Sequence, residues 1–486
     1  MTVIAIDPIT RLEGHGKITI FLDEAGEVEK ALFQVPELRG FEAFAVGRPA
    51  EEMPQITSRI CGVCPTTHHL AATKALDALF DVEPPPAAKA VRELFNAAFI
   101  AEDHALHFYV LGGPDFIVGA DAPPGARNFL GVIAKLGMEI GGQIIAMRKR
   151  LRGLLAKIGG KAIHPVLGLP GGVSKGIRET DRADIAALGK DAVAFSERSL
   201  SLFHDIVLGN RTFRDLVTGD IYYHETNYMG LVDGDNRVNF YDGKVRVVDP
   251  NGNERIKFAP KDYSRHISEH VEAWTYVKFP YLTEPGWRGF TDGPKSGVYR
   301  VAPLARLNAA DGMATPLAQA EYDRMYDTLG MKPAHFTLAN HWARLIEMLH
   351  VSERILALSE LPELTSTRIR NMDLKTPTEG VGIVEAPRGT LIHHYEADSR
   401  GVITACNLIV ATVGNAAAIC MSIEKAAKSL IKGGRIDDGL MNMVEMAFRA
   451  YDPCLACATH SLPGKMPLTI DLVDENGGVI HTFKRA

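Results

Sequence analysis

Two Cys-x-x-Cys pairs stand near opposite ends of the 486-residue sequence, Cys61/Cys64 and Cys454/Cys457. Their four thiolates suit a structural zinc ion, a cubane iron–sulfur cluster or a catalytic centre of soft transition metals, and either pair alone could act as a redox dithiol. Zinc modules usually keep their cysteines close together in sequence, and a chain of this length has a large enough core to fold without a structural metal ion. The wide separation therefore argues against zinc and leaves the other centres open.

The residues around the two cysteine pairs indicate which kind of metal centre they form. The first pair lies in Arg-Ile-Cys-Gly-Val-Cys-Pro-Thr-Thr-His (59–68) and the second in Asp-Pro-Cys-Leu-Ala-Cys-Ala-Thr-His (452–460). Together with Arg-Leu-Glu-Gly-His (11–15), Asp-His-Ala-Leu-His-Phe-Tyr (103–109) and Glu-Ala-Pro-Arg-Gly (385–389), they resemble ordered elements of nickel–iron hydrogenase large subunits. The resemblance covers essentially the whole chain. It implies the hydrogenase large-subunit fold and an oxidoreductase that cleaves dihydrogen heterolytically and reversibly into protons and electrons.

Three segments indicate the type of hydrogenase. Residues 59–69, 112–119 and 159–172 are most similar to the cytoplasmic, methyl-viologen-reducing type, which occurs with heterodisulfide reductase in electron-bifurcating complexes. The NAD-reducing soluble type shares most of these features and is the alternative. A structural zinc protein is the third alternative.

The resemblance assigns the four cysteines as metal ligands. Cys64 and Cys457 would bridge nickel and iron, while Cys61 and Cys454 would be terminal ligands of nickel. Soft thiolates suit both metals. The iron would carry carbon monoxide and cyanide. Cys454 would also take the proton from dihydrogen and pass it to Glu13, whose carboxylate needs a pKa tuned by burial.

Further catalytic and cofactor-binding residues follow from the same resemblance. Arg388 would lie above the metals as a fixed cation, with Asp103 and Asp452 as its carboxylate partners, because a buried arginine needs such partners. Thr412 would donate a hydrogen bond to an iron cyanide, and Pro387 would line the cofactor.

Two histidines and one carboxylate complete the predicted site. Glu42 and His460 resemble the family's ligands for magnesium or a similar divalent cation, since a hard cation prefers oxygen and tolerates one imidazole. His68 would donate a hydrogen bond to a cysteine sulfur, tuning the metals without ligating them. Cys406 and Cys420 are expected to be buried apolar residues.

Periodicity predicts the elements that must position these residues. Alternating segments at 3–6, 17–21 and 31–35 predict a small N-terminal antiparallel sheet, and 245–258 predicts a hairpin with Asn251-Gly252 at its turn. Helical spacing marks the longer segments, including one continuous helix over 128–158. The predicted helices are 65–80, 88–111, 128–158, 341–361, 415–431 and 438–450.

The expected fold class is mainly α, of the α+β kind, with a central bundle of long helices. We expect five parts: an N-terminal β-containing segment (1–60), the first half of the helical core with the first cysteine pair (61–208), a β-rich insertion (209–301), the second half of the core with the second pair (302–460), and a C-terminal extension removed on maturation (461–486).

Composition and charge limit the partners. A net charge of −6 with 23% charged residues argues against nucleic acid. The apolar stretch 408–423 is too short to span a membrane, and the N-terminus lacks a signal-peptide pattern, so a cytoplasmic chain is expected. The implied partners are a ferredoxin-like electron-transfer subunit, heterodisulfide reductase subunits, a maturation endopeptidase and an obligate iron–sulfur small subunit.

Overall fold

The computed structural model describes residues 2–460, 468–474 and 478–485. The helices of this part are α1 Phe41–Ala45, α2 Met53–Ser58, α3 Pro65–Leu79, α4 Pro86–Leu106, α5 Pro114–Ile117, α6 Phe129–Leu136, α7 Met138–Gly159, α8 Glu179–Phe203, α9 Arg211–Val217, α10 Tyr263–His266, α11 Pro303–Ala309, α12 Pro316–Leu329, α13 Asn340–Glu360, α14 Ala416–Leu430 and α15 Asp438–Arg449. The strands are β1 Thr2–Ile6, β2 Lys17–Leu22, β3 Val28–Gln34, β4 Gly168–Leu169, β5 Gly172–Val173, β6 Asn227–Val232, β7 Lys244–Val248, β8 Glu254–Phe258, β9 Ile267–Val271, β10 Lys278–Leu282, β11 Tyr299–Arg300, β12 Glu379–Ala386, β13 Gly389–Ala397, β14 Ile403–Ile409, β15 Leu468–Val473 and β16 Val479–Arg485.

Long helices form the centre of the molecule. Helix α13 packs against α4 and α8, and α4 packs in turn against α7. The first three turns of α13 are buried all round, including Trp342 and the charged Arg344, as expected for a helix inside a bundle. Helix α4 continues through a π-helical segment, His107–Gly112, so the helix predicted over 88–111 is confirmed with an altered last turn. Among the described residues no helix is long and apolar enough to cross a bilayer.

The single helix predicted over 128–158 is wrong in one respect, because the chain forms two helices there. Gly137 separates α6 from α7 with φ of 95° and ψ of 156°, a conformation outside the helical region that glycine adopts readily. Asn128 caps α6 through its side-chain oxygen, which accepts from the backbone N–H groups of Leu130 and Gly131. Apolar periodicity continues across the break and does not reveal it.

The predicted N-terminal sheet and the β-rich middle segment are both present. Strands β1, β2 and β3 form an antiparallel sheet in chain order. In the middle, β6, β7 and β8 are antiparallel neighbours, and β11 adds to β6 in parallel. The β7–β8 hairpin turns at Asn251 and Gly252, as predicted, with Gly252 at φ of 84°.

A further antiparallel sheet, β12–β13–β14, lies within the segment predicted as the second half of the helical core. It packs directly against α3. Gly380 and Gly382 on β12 permit this contact, because a Cβ atom at Gly382 would lie 2.1 Å from the carbonyl oxygen of Ala71. The sheet thus brings the turn between β12 and β13 close to the first cysteine motif.

In the C-terminal extension, strands β15 and β16 pair in the antiparallel direction. Residues 461–467, 475–477 and 486 of the extension lie outside the described residues. Overall the chain is mainly α with several small sheets, which confirms the expected fold class.

Candidate functional site

The four cysteines of the two pairs meet in the interior of the molecule. Their sulfur atoms all lie within 4.8 Å of one another, and each residue is buried. Sγ of Cys61 is 3.4 Å from Sγ of Cys454, Cys64 is 3.4 Å from Cys457, and Cys454 is 2.7 Å from Cys457. The folded chain therefore brings its two distant motifs to one common centre.

The first pair sits on the turn that leads into α3. Cys64 is the residue before the first turn of that helix, and Pro65 follows at a position where its missing N–H costs nothing. The backbone N–H groups of Val63 and Cys64 both donate to Sγ of Cys61, at 3.2 and 3.1 Å. Such donors stabilise a thiolate at Cys61.

The second pair sits on the turn that follows α15. The last carbonyl groups of this helix are held by charged and polar side chains: Arg344 donates to the oxygen of Ala450 at 3.0 Å, and Nε2 of His107 to that of Arg449 at 2.8 Å. Beyond them, the backbone N–H of Cys454 donates to Oγ1 of Thr412 at 3.0 Å. The predicted cofactor residue Thr412 thus positions the cysteine turn, and its hydroxyl hydrogen is not used in that bond.

Glu13 is fixed beside Cys454 by backbone and side-chain contacts together. The two residues form a parallel β-bridge, with the N–H of Leu455 donating to the carbonyl of Glu13 at 2.8 Å. Oε2 of Glu13 lies 2.8 Å from Sγ of Cys454 and 3.2 Å from the backbone nitrogen of Ala456. Glu13 is only partly buried, so its carboxylate connects the buried sulfurs with the outer part of the protein.

Burial and neighbouring charges set the protonation of these groups. Burial raises the pKa of Cys454 well above its ordinary value, and the adjacent sulfurs raise it further. Burial also acts to raise the pKa of Cys61, but hydrogen bonds from the other three cysteines lower it well below the ordinary value. Burial and the charge of Cys61 raise the pKa of Glu13. The Cys454 thiol is therefore the donor in its contact with the Glu13 carboxylate.

Arg388 lies in the turn after β12 with two buried carboxylates beside it. Its guanidinium is 3.4 Å from Asp103 and 3.0 Å from Asp452, and all three side chains are at most 3% exposed. Burial raises the pKa of Asp103 to about 7, although Arg388 opposes the shift. The structure thus brings together the predicted arginine and both predicted partners. Pro387 precedes Arg388 in the same buried turn, and its carbonyl accepts from Arg306 at 3.2 Å.

A buried ionic network behind this turn was not predicted. Arg306 pairs with Glu347 at 2.6 Å and with Glu385 at 3.0 Å, and none of the three is exposed. His104 adds a contact to Glu347 at 2.9 Å. Glu385 belongs to the recognised 385–389 motif, but Arg306 and Glu347 lie in ordinary helical patterns that carry no signal for this role.

The remaining predicted residues lie close to the centre but make contacts that differ from those expected. Nδ1 of His68 pairs with Nε2 of His393 at 3.1 Å, and no hydrogen bond from His68 to a sulfur occurs within the described part. Oε1 of Glu42 accepts from the backbone of Leu408 at 2.8 Å and lies 3.8 Å from the ammonium group of Lys278.

His460, the second predicted cation ligand, uses one ring nitrogen inside its own turn. Its Nε2 donates to the carbonyl of Cys457 at 2.5 Å, while Nδ1 is buried without a partner in the described chain. An unpaired buried nitrogen fits a ligand role. The neighbouring ammonium group of Lys278 lies 3.8 Å from Glu42 but 2.9 Å from Glu269, so one positive charge is shared by two carboxylates.

The four sulfurs are the donor set that fits nickel and iron. Soft thiolates at mutual contact distance can hold two such metals, and the other described residues contain no comparable group of ligands. Cys420 is buried and burial raises its pKa, as expected for an unreactive apolar cysteine.

Comparison with known proteins identifies the family. A model described as nickel-dependent hydrogenase matches residues 39–124 and 143–460, and one described as HoxL-like matches residues 3–38. The chain therefore belongs to the nickel-dependent hydrogenases. It is a hydrogenase large subunit, an oxidoreductase that catalyses H2 oxidation, and it pairs with a small subunit.

Individual relatives agree with this assignment over the full length. The chain is 47% identical over 485 residues to an F420-non-reducing hydrogenase iron-sulfur subunit of Archaeoglobus profundus, with 100% of both chains covered. It is 42% identical to an F420-non-reducing hydrogenase subunit of Methanothermobacter thermautotrophicus, with 99% of both covered. The predicted resemblance to the methyl-viologen-reducing type is confirmed by these relatives.

The NAD-reducing type is also similar. The identity to NAD-reducing hydrogenase HoxS subunit beta of Cupriavidus necator is 38%, with 99% of both chains covered. A crystal structure of an NAD+-reducing NiFe-hydrogenase in the H2-reduced state has a TM-score of 0.89 and 40% identity, covering 95% of this chain and 100% of that one. The predicted hydrogenase large-subunit fold is thereby confirmed.

Proposed function

We propose that this chain is the catalytic large subunit of a cytoplasmic hydrogenase that delivers electrons from dihydrogen to a heterodisulfide reductase-type complex, in an electron-bifurcating assembly. Outside the four-sulfur cluster the sequence has only Cys406 and Cys420, too few thiolates for an iron–sulfur cluster that could carry electrons onward. The electrons would therefore leave through an iron–sulfur small subunit and then through a ferredoxin-like subunit. The higher identity to the F420-non-reducing relatives, 47% against 38% for the NAD-reducing one, supports this assignment.

The contact between Cys454 and Glu13 is the observation that carries the catalytic proposal. Cys61, Cys64, Cys454 and Cys457 would hold nickel and iron, with carbon monoxide and cyanide on the iron. When bound, this centre supplies the two-electron cleavage of dihydrogen. Cys454 then receives the proton at Sγ and passes it over 2.8 Å to Oε2 of Glu13. The raised pKa of Glu13 brings its proton affinity closer to that of the donor.

Three groups around the cluster have supporting roles in this proposal. Arg388 presents a permanent positive charge, which Asp103 and Asp452 hold in place through their salt bridges. Thr412 has a hydroxyl hydrogen left to donate to a cyanide ligand, because its oxygen is the acceptor for Cys454. Glu42 and His460 would bind magnesium or a similar cation.

Activity measurements with defined acceptors test the proposal. The nickel-loaded chain with its small subunit should reduce methyl viologen under H2, and the Cys454→Ser variant should not. In the complete complex, heterodisulfide reduction should depend on H2, whereas NAD+ should not be reduced. H2-dependent reduction of NAD+ would instead establish the alternative, the NAD-reducing type, which the TM-score of 0.89 to such a hydrogenase favours.

We also propose that a maturation endopeptidase removes residues 461–486 after nickel insertion. The family match ends at residue 460. The match to the NAD+-reducing hydrogenase structure takes in 100% of that chain but only 95% of this one. Mass spectrometry of the active protein should find a chain that ends at His460. An active, nickel-containing protein of full length would refute the proposal.

A further inference from the structure

Arg388 lies in a two-residue turn whose backbone conformation does not favour a tight hairpin. The turn Pro387-Arg388 joins β12 to β13, and Ala386 pairs with Gly389 across it. Two-residue hairpins prefer a positive φ at one or both turn residues, because such turns match the twist of the strands. The ring of Pro387 fixes its φ at a negative value, and Arg388 does not have a positive φ. Contacts from outside the turn must therefore hold Arg388 in place.

Three consecutive carbonyl groups of this turn accept hydrogen bonds from buried side chains. Arg306 donates to the oxygen of Ala386 at 2.9 Å and to that of Pro387 at 3.2 Å. Nδ2 of Asn415 donates to the carbonyl oxygen of Arg388 itself at 2.8 Å. The peptide group that follows the Arg388 side chain is thus held by Asn415.

The orientation of the Asn415 amide follows from its partners. Its Oδ1 accepts from the backbone N–H groups of Val301 at 2.8 Å and Ala302 at 3.1 Å, just before α11 begins. Two N–H donors require the oxygen on that side, and the carbonyl of Arg388 requires the amino group on the other. Asn415 is only 1% exposed. Removing its side chain would therefore take a hydrogen-bond partner away from three backbone groups at once.

The segment that carries Asn415 also holds the second cysteine motif. The backbone N–H of Asn415 donates to the carbonyl of Thr412 at 3.0 Å, and Oγ1 of Thr412 accepts from the backbone N–H of Cys454 at 3.0 Å. The two residues stand three positions apart, just before α14. One short piece of backbone therefore sets the position of Arg388 relative to Cys454.

We propose that Asn415 is a positioning residue that fixes the backbone of Arg388 relative to the cysteine turn, and thereby holds the guanidinium group in its place beside Asp103 and Asp452. The inference rests on the proposed role of Arg388. Because Asn415 acts through that side chain, its effect on turnover should vanish once the guanidinium group has been removed.

Asn340 provides a matched control, since it is also 1% exposed. Its Oδ1 accepts from the backbone N–H of Leu304 at 3.0 Å, and its Nδ2 donates to the carbonyl of Thr337 at 2.9 Å. Asn340 thus supports the same helix, α11, through bonds that do not reach the turn of Arg388. Asn340→Ala and Asn415→Ala should lower the free energy of unfolding to a similar extent in urea denaturation.

H2-dependent viologen reduction by the nickel-loaded chain with its small subunit measures the effect on turnover. Asn415→Ala should lower kcat by about 10- to 100-fold at unchanged nickel and iron content and unchanged KM for H2, as expected when a group that acts in the transition state is displaced. Asn340→Ala should retain the parent kcat. In the Arg388→Gln background, Asn415→Ala should cause no further loss.

Amide hydrogen exchange of the metal-free, full-length chain gives a second result that does not depend on activity. Asn415→Ala should speed exchange by about five- to tenfold at residues 301–302 and 388–390, the change in local opening expected when a buried hydrogen bond is lost. Asn340→Ala should speed exchange at Leu304 and leave residues 388–390 unchanged.

The proposal is overturned if exchange at residues 388–390 is the same in Asn415→Ala as in the parent. It is equally overturned if Asn415→Ala loses as much activity in the Arg388→Gln background as in the parent, because the effect would then not pass through Arg388. A fully metallated complex that does not reduce viologen under H2 would refute the proposed function instead, and the exchange result would still decide whether Asn415 holds the turn.

Discussion

Replacing Glu13 by glutamine removes one ionisable oxygen and little else. The backbone bonds of Glu13 to Pro453 and Leu455 remain, and the amide oxygen of glutamine can still accept from the N–H of Ala456 at the present 3.2 Å. The variant cannot take a proton from Cys454. Proton transfer by a positioned side chain contributes about 10²–10⁴-fold to a rate, which corresponds to roughly 3–5 kcal/mol in activation free energy.

We therefore expect Glu13→Gln to lower H2-dependent viologen reduction by about 10²–10⁴-fold at unchanged nickel and iron content. Exchange of deuterium from D2 into solvent should fall in parallel, because it requires the proton to leave the site. Glu37→Gln is the matched control, since Glu37 is a nearby carboxylate that pairs with the exposed His15. A Glu13→Gln variant that is fully metallated and retains a third or more of the activity would refute the proton route.

Three further predictions concern the ligands, the buried ion pairs and the carboxylate of Asp103. Cys61→Ser should abolish nickel binding, whereas Cys420→Ser should retain it. Metal analysis of the purified proteins measures both, and equal nickel content in the two variants would show that Cys61 is not a ligand. Arg306→Leu removes the only cation that pairs with the buried carboxylates of Glu347 and Glu385 among the described residues, and should lower the free energy of unfolding by about 3–5 kcal/mol. The surface variant Arg400→Leu should lose less than about 1 kcal/mol. Urea denaturation gives both values, and similar losses would contradict the argument. Burial raises the folded-state pKa of Asp103 to about 7. The contribution of this carboxyl group to the free energy of unfolding is therefore fully present below about pH 4 and is lost as the pH rises through 7. Asp103→Asn should gain stability relative to the parent over that pH range, and a difference in unfolding free energy that stays constant with pH would disprove the raised pKa.

The centre of the site was predictable from sequence because its residues lie in compact motifs. The two cysteine pairs, Glu13, Arg388 and Asp452 each stand within a short recognisable segment, and the fold brings these segments together. The β7–β8 hairpin and α15 were likewise predictable, since a turn signal and a clear apolar stripe act locally.

Features that depend on tertiary contacts were not predictable in the same way. The β12–β14 sheet lies where Gly380 and Gly382 meet the backbone of α3, a contact that no local pattern expresses. The break at Gly137 interrupts a segment whose apolar spacing continues on both sides. The partners of His68 and Arg306 lie hundreds or tens of residues away, and only the folded chain shows which polar groups share the interior.

X-ray absorption at the nickel edge of the purified, nickel-loaded protein tests the central claim most directly. The four sulfurs of Cys61, Cys64, Cys454 and Cys457 lie together, so we expect a spectrum in which nickel has sulfur neighbours from all four residues. An iron atom should be detected at a short distance from the nickel. Nickel surrounded mainly by nitrogen and oxygen, or a protein that holds zinc and no nickel, would contradict the account.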